Sequence, residues 1–144
     1  MFEVITNNEQ ETRLVGEKIA NELQAGATIL LFGDLGSGKT VISSGIVKGC
    51  SGKDYNVTSP TFNIVQEYLG NVKVNHFDLY RIEDLSELEN IGVYEYLFDE
   101  SAVNIVEWPE RAEELENLLS VVYKLNIDKI DEKTRKIRFE KIKG

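Results

Sequence analysis

One octapeptide constrains this chain more than any other feature. Gly33, Asp34, Leu35, Gly36, Ser37, Gly38, Lys39 and Thr40 fit the pattern G-x-x-x-x-G-K-[ST]. The run follows Thr-Ile-Leu-Leu-Phe at residues 28–32, a nearly all-apolar stretch expected of a buried central strand. It opens a segment, residues 39–48, that reads as a helix. Each residue type has a physical purpose. Glycines let backbone N–H groups converge on anionic oxygens with no Cβ in the way. A helix starting at Lys39 aims the positive end of its dipole at the same anion. Lys39 adds a mobile charge for β- and γ-phosphates, the Thr40 hydroxyl can take one position on Mg²⁺, and Val41 follows in the first helical turn. Strand, glycine loop and helix in that order predict a nucleotide-binding phosphate loop.

The rest of the chain builds a fold around it. Residues 8–24 read as a helix, with Val15, Ile19 and Leu23 at i, i+4 and i+8. Residues 61–68 and 72–78 read as an antiparallel strand pair joined at Gly70-Asn71. Residues 85–98 read as one or two short helices interrupted near Gly92, and residues 102–106 as a buried strand. Residues 109–119 read as one acidic helix with Pro109 near its first turn. Residues 121–127 and 136–142 read as a closing strand pair, and residues 2–5 as a short first strand. This order predicts an α/β fold, a three-layer P-loop NTPase-type domain with a mixed central sheet, in one domain spanning residues 1–144.

Such a loop needs an acid to organise Mg²⁺ or water. Asp78 and Glu107 each follow an apolar strand, where α/β sheets open their ligand crevice. Either can also be an ordinary solvated carboxylate; the loop favours function. Residues 58–62 (Thr-Ser-Pro-Thr-Phe) admit two readings, a nucleotide-sensing segment with Thr61 near Mg²⁺ or the γ-phosphate, or an X-Pro turn into a strand. His76, the only histidine, falls on the strand face of Asp78 and reads best as structural. Trp108 reads as core, with a place near the nucleotide as the alternative. Arg81 and Arg111 are candidates to approach a γ-phosphate, although most surface arginines do not.

Charge limits the partners. The chain carries 16 Lys plus Arg against 25 Asp plus Glu, a net charge of -9, opposite in sign to a stand-alone nucleic-acid binder. The imbalance is uneven: residues 1–123 hold 8 basic and 21 acidic side chains, residues 124–144 hold 8 and 4. Residues 83–116 contain 12 acids and one base, Arg111. That stretch is either a solvated face or a docking face for a basic partner. The basic tail is either an RNA contact or a strand pair with solvated lysines. A lone cysteine, Cys50, suits a reducing compartment, and its surroundings suggest a small buried residue. With neither a signal-peptide pattern nor an apolar run of about 18 residues, the expected setting is cytoplasmic with no membrane contact.

Four blocks in order are familiar: residues 33–40, Ser59-Pro-Thr-Phe62, His76-Phe-Asp-Leu-Tyr-Arg81 and Glu107-Trp-Pro-Glu-Arg111. The sequence resembles, over nearly its whole length, the TsaE (YjeE) family of bacterial ATPases, subunits of the machinery that makes threonylcarbamoyladenosine in tRNA. The resemblance implies that residues 33–40 hold the phosphates of ATP or ADP, with Thr40 and Glu107 on Mg²⁺. It implies that Asp78 is a second essential acid, that Thr61 belongs to a switch-like segment and that Trp108 lies near the nucleotide. It brings the Asn8-Glu9 region and Arg135 toward the nucleotide as well. It names the partners TsaB and TsaD, with tRNA met indirectly through them. The family often carries Ala where Ser37 stands, a small-for-small change that leaves the loop intact. Three alternatives stand beside this reading. A small-molecule kinase lacks support from an Arg-rich lid, since only Arg81 and Arg111 lie between Arg13 and Arg135. A GTPase would carry Asn-Lys-x-Asp, which is absent. A non-enzymatic nucleotide module leaves two strand-end acids unexplained.

Overall fold

The computed structural model describes residues 1–60 and 64–144. Thr61 therefore lies outside the described residues, as does most of the expected switch segment's end. The elements in chain order are β1 (Phe2–Thr6), α1 (Glu9–Glu22), β2 (Thr28–Phe32), α2 (Lys39–Ser51), β3 (Val65–Tyr68) and β4 (Lys73–Asp78). Then follow α3 (Ser86–Asn90), α4 (Tyr94–Leu97), β5 (Ala102–Glu107), a 3₁₀ turn (Pro109–Ala112), α5 (Leu115–Leu118), β6 (Val122–Lys129) and β7 (Arg135–Lys143).

Seven strands form one mixed sheet in the order β1-β7-β6-β2-β5-β4-β3. β2 lies parallel to both β5 and β6, and β4 lies parallel to β5. The outer pairs β3–β4, β6–β7 and β1–β7 are antiparallel. The nearly all-apolar β2 sits in the middle, as its burial on both faces requires. This topology decides where the site can be. Parallel strands end on the same edge, so the loop after β2, Asp78 at the end of β4 and Glu107 at the end of β5 gather there. β7 runs back from that edge, which brings Arg135, paired with Lys129, to it as well.

Alternation sorts each strand between two cores. Ile29, Leu31, Val74, Val103 and Ile105 pack with Val15 and Ile19 of α1 and Ile42 and Ile46 of α2. Leu30, Phe77 and Val106 pack with Leu88, Leu97 and Leu115 from the helical segments on the opposite face. α1 and α2 touch almost backbone to backbone. A Cβ at Gly16 would meet the Ile42 carbonyl oxygen, one at Gly45 the Arg13 carbonyl oxygen, and one at Gly49 the Ala20 side chain.

One expectation changes. Residues 109–119 are a 3₁₀ turn and a single helical turn rather than one helix. Pro109 does start a helical turn, and Ala112, Leu115 and Leu119 are buried, but the helical backbone is not continuous between the two pieces. Glu110, Glu113 and Glu114 at i, i+3 and i+4 repel one another and disfavour a continuous helix. The three layers are also unequal. On the face opposite α1 and α2, β1 and β7 leave Glu3, Ile5, Lys136 and Arg138 toward solvent, with Glu3 3.3 Å from both Lys136 Nζ and Arg138 Nε.

Candidate functional site

The loop after β2 adopts backbone conformations that its glycines allow. Gly36 and Gly38 have φ of 78° and 105°, in the left-handed region. A Cβ at Gly33 would lie 2.5 Å from Ser37 Oγ and 2.8 Å from the Ile127 carbonyl oxygen. Gly38 is the N-cap of α2, and no side chain among the described residues caps that helix. The free N–H groups of a 13-residue helix therefore face the loop. Lys39 is 7% exposed and its Nζ has no hydrogen-bond partner among the described residues. That ammonium lies 4.0 Å over the Trp108 ring. An uncapped helix start and a buried, unpaired cation together demand an anion.

Two carboxylates stand across from the loop. Asp78 and Glu107 are opposite one another in the β4–β5 ladder. Asp78 Oδ1 accepts the Tyr80 backbone N–H at 3.0 Å and Oδ2 accepts Ser59 Oγ at 3.3 Å. Glu107 is 2% exposed, and its Oε2 contacts Nε2 of the fully buried His76. Trp108 is the one non-glycine residue with positive φ, 57°, among the described residues. That turn sets its ring against Tyr80, 5.0 Å between centroids, and under Lys39, while the partly buried side chain still packs on the edge of the second core.

These groups line an open cleft of about 1280 Å³. Gly36, Gly38, Lys39, Thr40 and Val41 form its floor, with Asp78, Glu107 and Trp108 on one wall. Leu35 is also at the wall, 75% exposed. Gly33, Asp34 and Ser37 do not line it: Gly33 and Ser37 pack against each other, and Asp34 is exposed, its carbonyl accepting the Ser37 N–H at 3.1 Å. Glu9 reaches the cleft from the start of α1, where Asn8 Oδ1 caps the helix by accepting the Glu11 N–H at 2.8 Å. Arg135 lines the cleft too, but its Nε donates to the Ser37 carbonyl at 2.7 Å and its second amine to the Gly36 carbonyl at 3.3 Å. It braces the loop from outside.

Of the two arginines proposed to reach phosphate, Arg81 lines the cleft, whereas Arg111 lies 5.5 Å from the Tyr80 ring. Tyr80, Ile91 and Lys133 also line the cleft, without a sequence pattern that assigns them there. Tyr80 has only its place two residues after Asp78 as a signal; Ile91 and Lys133 arrive only through the chain path. Among the described residues no group of three or more His, Cys, Asp or Glu is placed to hold a metal. One hydroxyl and one or two carboxylates, all oxygen donors, fit an ion such as Mg²⁺ that keeps waters and takes its remaining ligands from phosphate. No helix is long and apolar enough to cross a membrane among the described residues.

The comparisons with known proteins agree. A family model described as "Threonylcarbamoyl adenosine biosynthesis protein TsaE" matches residues 6–137. The tRNA threonylcarbamoyladenosine biosynthesis protein TsaE of Rickettsia felis is 35% identical over 133 residues, covering 92% of this chain and 75% of that protein. The protein of that name from Bacillus subtilis is 40% identical over 110 residues, 76% of this chain and 67% of that one. The crystal structure of YdiB from the same genus superposes with a TM-score of 0.74 at 28% identity, covering 99% of this chain and 86% of that chain.

Proposed function

The chain belongs to the TsaE family of tRNA threonylcarbamoyladenosine biosynthesis proteins, and from that premise we propose that it is the machinery's ATPase subunit, a Mg²⁺-dependent hydrolase of ATP that cycles a TsaB–TsaD complex. The observation that carries this reading is the buried Lys39 ammonium, without a hydrogen-bond partner among the described residues at the start of α2, in a cleft that Asp78 and Glu107 also line. In this reading the loop N–H groups and Lys39 bind the β- and γ-phosphates. Thr40 and Glu107 would hold Mg²⁺, which when bound neutralises charge on the phosphates. Asp78, held by Ser59 and the Tyr80 N–H, orients a water or the metal's outer shell. Trp108 and Tyr80 wall the reacting end off from solvent, Glu9 bounds the nucleotide at the start of α1, and Arg135 keeps the loop in its receptive shape. Thr61 belongs to a segment that senses the γ-phosphate. Work on tRNA and a reduced Cys50 both support a cytoplasmic setting, with tRNA met through the partners.

The decisive measurement is ATP binding and hydrolysis with and without purified TsaB–TsaD complex. We expect ADP and ATP to bind, slow turnover alone, and acceleration by the complex. Glu107→Ala should lower turnover about a hundredfold or more with binding retained. Near-normal turnover in that variant would remove Glu107 from the mechanism. Transfer of phosphate to an organic acceptor instead of water would replace the ATPase reading with a kinase.

A further inference from the structure

We propose that His76 is a positioning residue for Glu107, donating from Nε2 to Oε2 so that the carboxylate offers the cleft a single, fixed Oε1. The proposal rests on the nucleotide-site reading above and extends it to a side chain that does not line the cleft. His76 is 0% exposed in β4, and Glu107 is 2% exposed at the end of β5. His76 pairs in register with Ile105, two residues before Glu107, so the two side chains share a sheet face diagonally. Their contact joins neighbouring strands beneath the site. His76 Nδ1 has no partner among the described residues. A proton on Nδ1 alone would bury an unmet donor there and turn a bare Nε2 lone pair against the carboxylate. A proton on Nε2 satisfies the contact and leaves only an acceptor unmet, the cheaper arrangement.

A glutamate has three side-chain torsions, and burial by itself does not choose which of its two carboxylate oxygens is turned to the cleft. Anchoring one oxygen removes that freedom before ligand arrives. Hydrogen bonds of this kind behind a ligating carboxylate matter to metal affinity and rate by about ten- to a hundredfold. Glu107 Oε2 is thus occupied by protein, and Oε1 is what remains for Mg²⁺ or water.

The chain has one histidine and one tryptophan, which gives two clean probes. In the unaltered, ligand-free protein labelled with ¹⁵N, a single imidazole signal pair should show a proton on Nε2, and the signal should shift in Glu107→Gln. A proton on Nδ1 with Nε2 bare, or no response to Glu107→Gln, overturns the proposal. In parallel, ATP binding is followed by Trp108 fluorescence and turnover is measured against Mg²⁺ concentration. His76→Leu should bind ATP without Mg²⁺ within about twofold of the parent, yet lose about tenfold or more in kcat and need more Mg²⁺. His76→Gln, whose amide nitrogen reaches where Nε2 was, should restore most of both, and His76→Asn, which is shorter, should not. Normal kcat and Mg²⁺ dependence in His76→Leu, or equal loss in Leu and Gln variants that melt like the parent, overturns it. Should the leucine variant fail to fold, the ¹⁵N measurement on intact protein decides alone. A flat fluorescence titration in the parent would instead overturn the nucleotide reading itself, and with it any role for this contact.

Discussion

Lys39 carries a charge into a space that offers it, among the described residues, an aromatic face and no acceptor. A buried ammonium without a hydrogen-bond partner forfeits on the order of 1–3 kcal/mol, which a bound phosphate would recover. Stability and binding should therefore part company at this residue. Lys39→Met should leave the ligand-free melting temperature unchanged or higher. In the parent, ATP at about a hundred times its Kd should stabilise by about 2.7 kcal/mol, and in the variant by almost nothing. Thermal melts with and without ATP read both effects. Cys50 has the opposite character. Burial pushes its thiol up from the usual 9.0 to about 11. The folded value lies above the unfolded one, so the contribution to stability is complete below about pH 9 and fades as pH rises toward 11. Urea midpoints across that range should fall more steeply in the parent than in Cys50→Ala.

Between elements, the α1–α2 crossing sets how accurately the phosphate loop is held. α2 begins at Lys39, and its opposite face lies on α1 through Gly16, Gly45 and Gly49. A methyl group at Gly45 would run into the Arg13 carbonyl, a backbone atom that cannot swing aside. Gly45→Ala should lower stability by about 1–3 kcal/mol in urea unfolding and weaken ATP binding by tilting α2. Unchanged stability would mean that the helices slide apart at no cost. A second tie runs through the opposite face. Asn104 Nδ2 donates to Thr28 Oγ1 at 3.1 Å and to the Leu97 carbonyl at 2.9 Å, while Asn75 Nδ2 donates to Asn104 Oδ1 at 3.2 Å. This polar row links β2, β5 and β4 to the end of α4, inside what the strand pattern alone would make an apolar layer.

Across the molecule, the acidic stretch at residues 83–116 turns out to include much of the second helical layer. Its apolar members, Leu88, Val93, Leu97, Ala112 and Leu115, face the sheet, while Glu89, Glu95, Glu110, Glu113 and Glu114 face solvent. The basic residues of β6 and β7 lie beyond β2, toward the other side of the sheet. The -9 total therefore averages two surfaces. If the acidic layer docks the proposed partner complex, Glu110→Lys with Glu113→Lys should slow association about tenfold at low salt, less at high salt. Lys129→Glu with Lys141→Glu should leave that rate within about twofold. Surface-resonance kinetics at two ionic strengths compare them, and the reverse ranking would move the docking face to the basic hairpin.

The sequence alone determined the loop, its helix, the central strand, the two strand-end acids and the mixed α/β order. Each is local: a fixed spacing of glycines and lysine, or an apolar run with a known period. It also carried the family, because four short blocks in order are specific where one is not. What only the tertiary structure decided joins residues far apart in the chain. His76 reaches Glu107 across 31 positions and Arg135 reaches Ser37 across 98. Trp108 sits where the second core meets the cleft and serves both, because its backbone turns left-handed after β5, a conformation that no periodicity announces. The failed helix at residues 109–119 has the same origin: Pro109 near a first turn was legible, but the seating of Ala112, Leu115 and Leu119 in the second core was not. Strand order and register set these pairings, and they follow from the packing of the whole sheet.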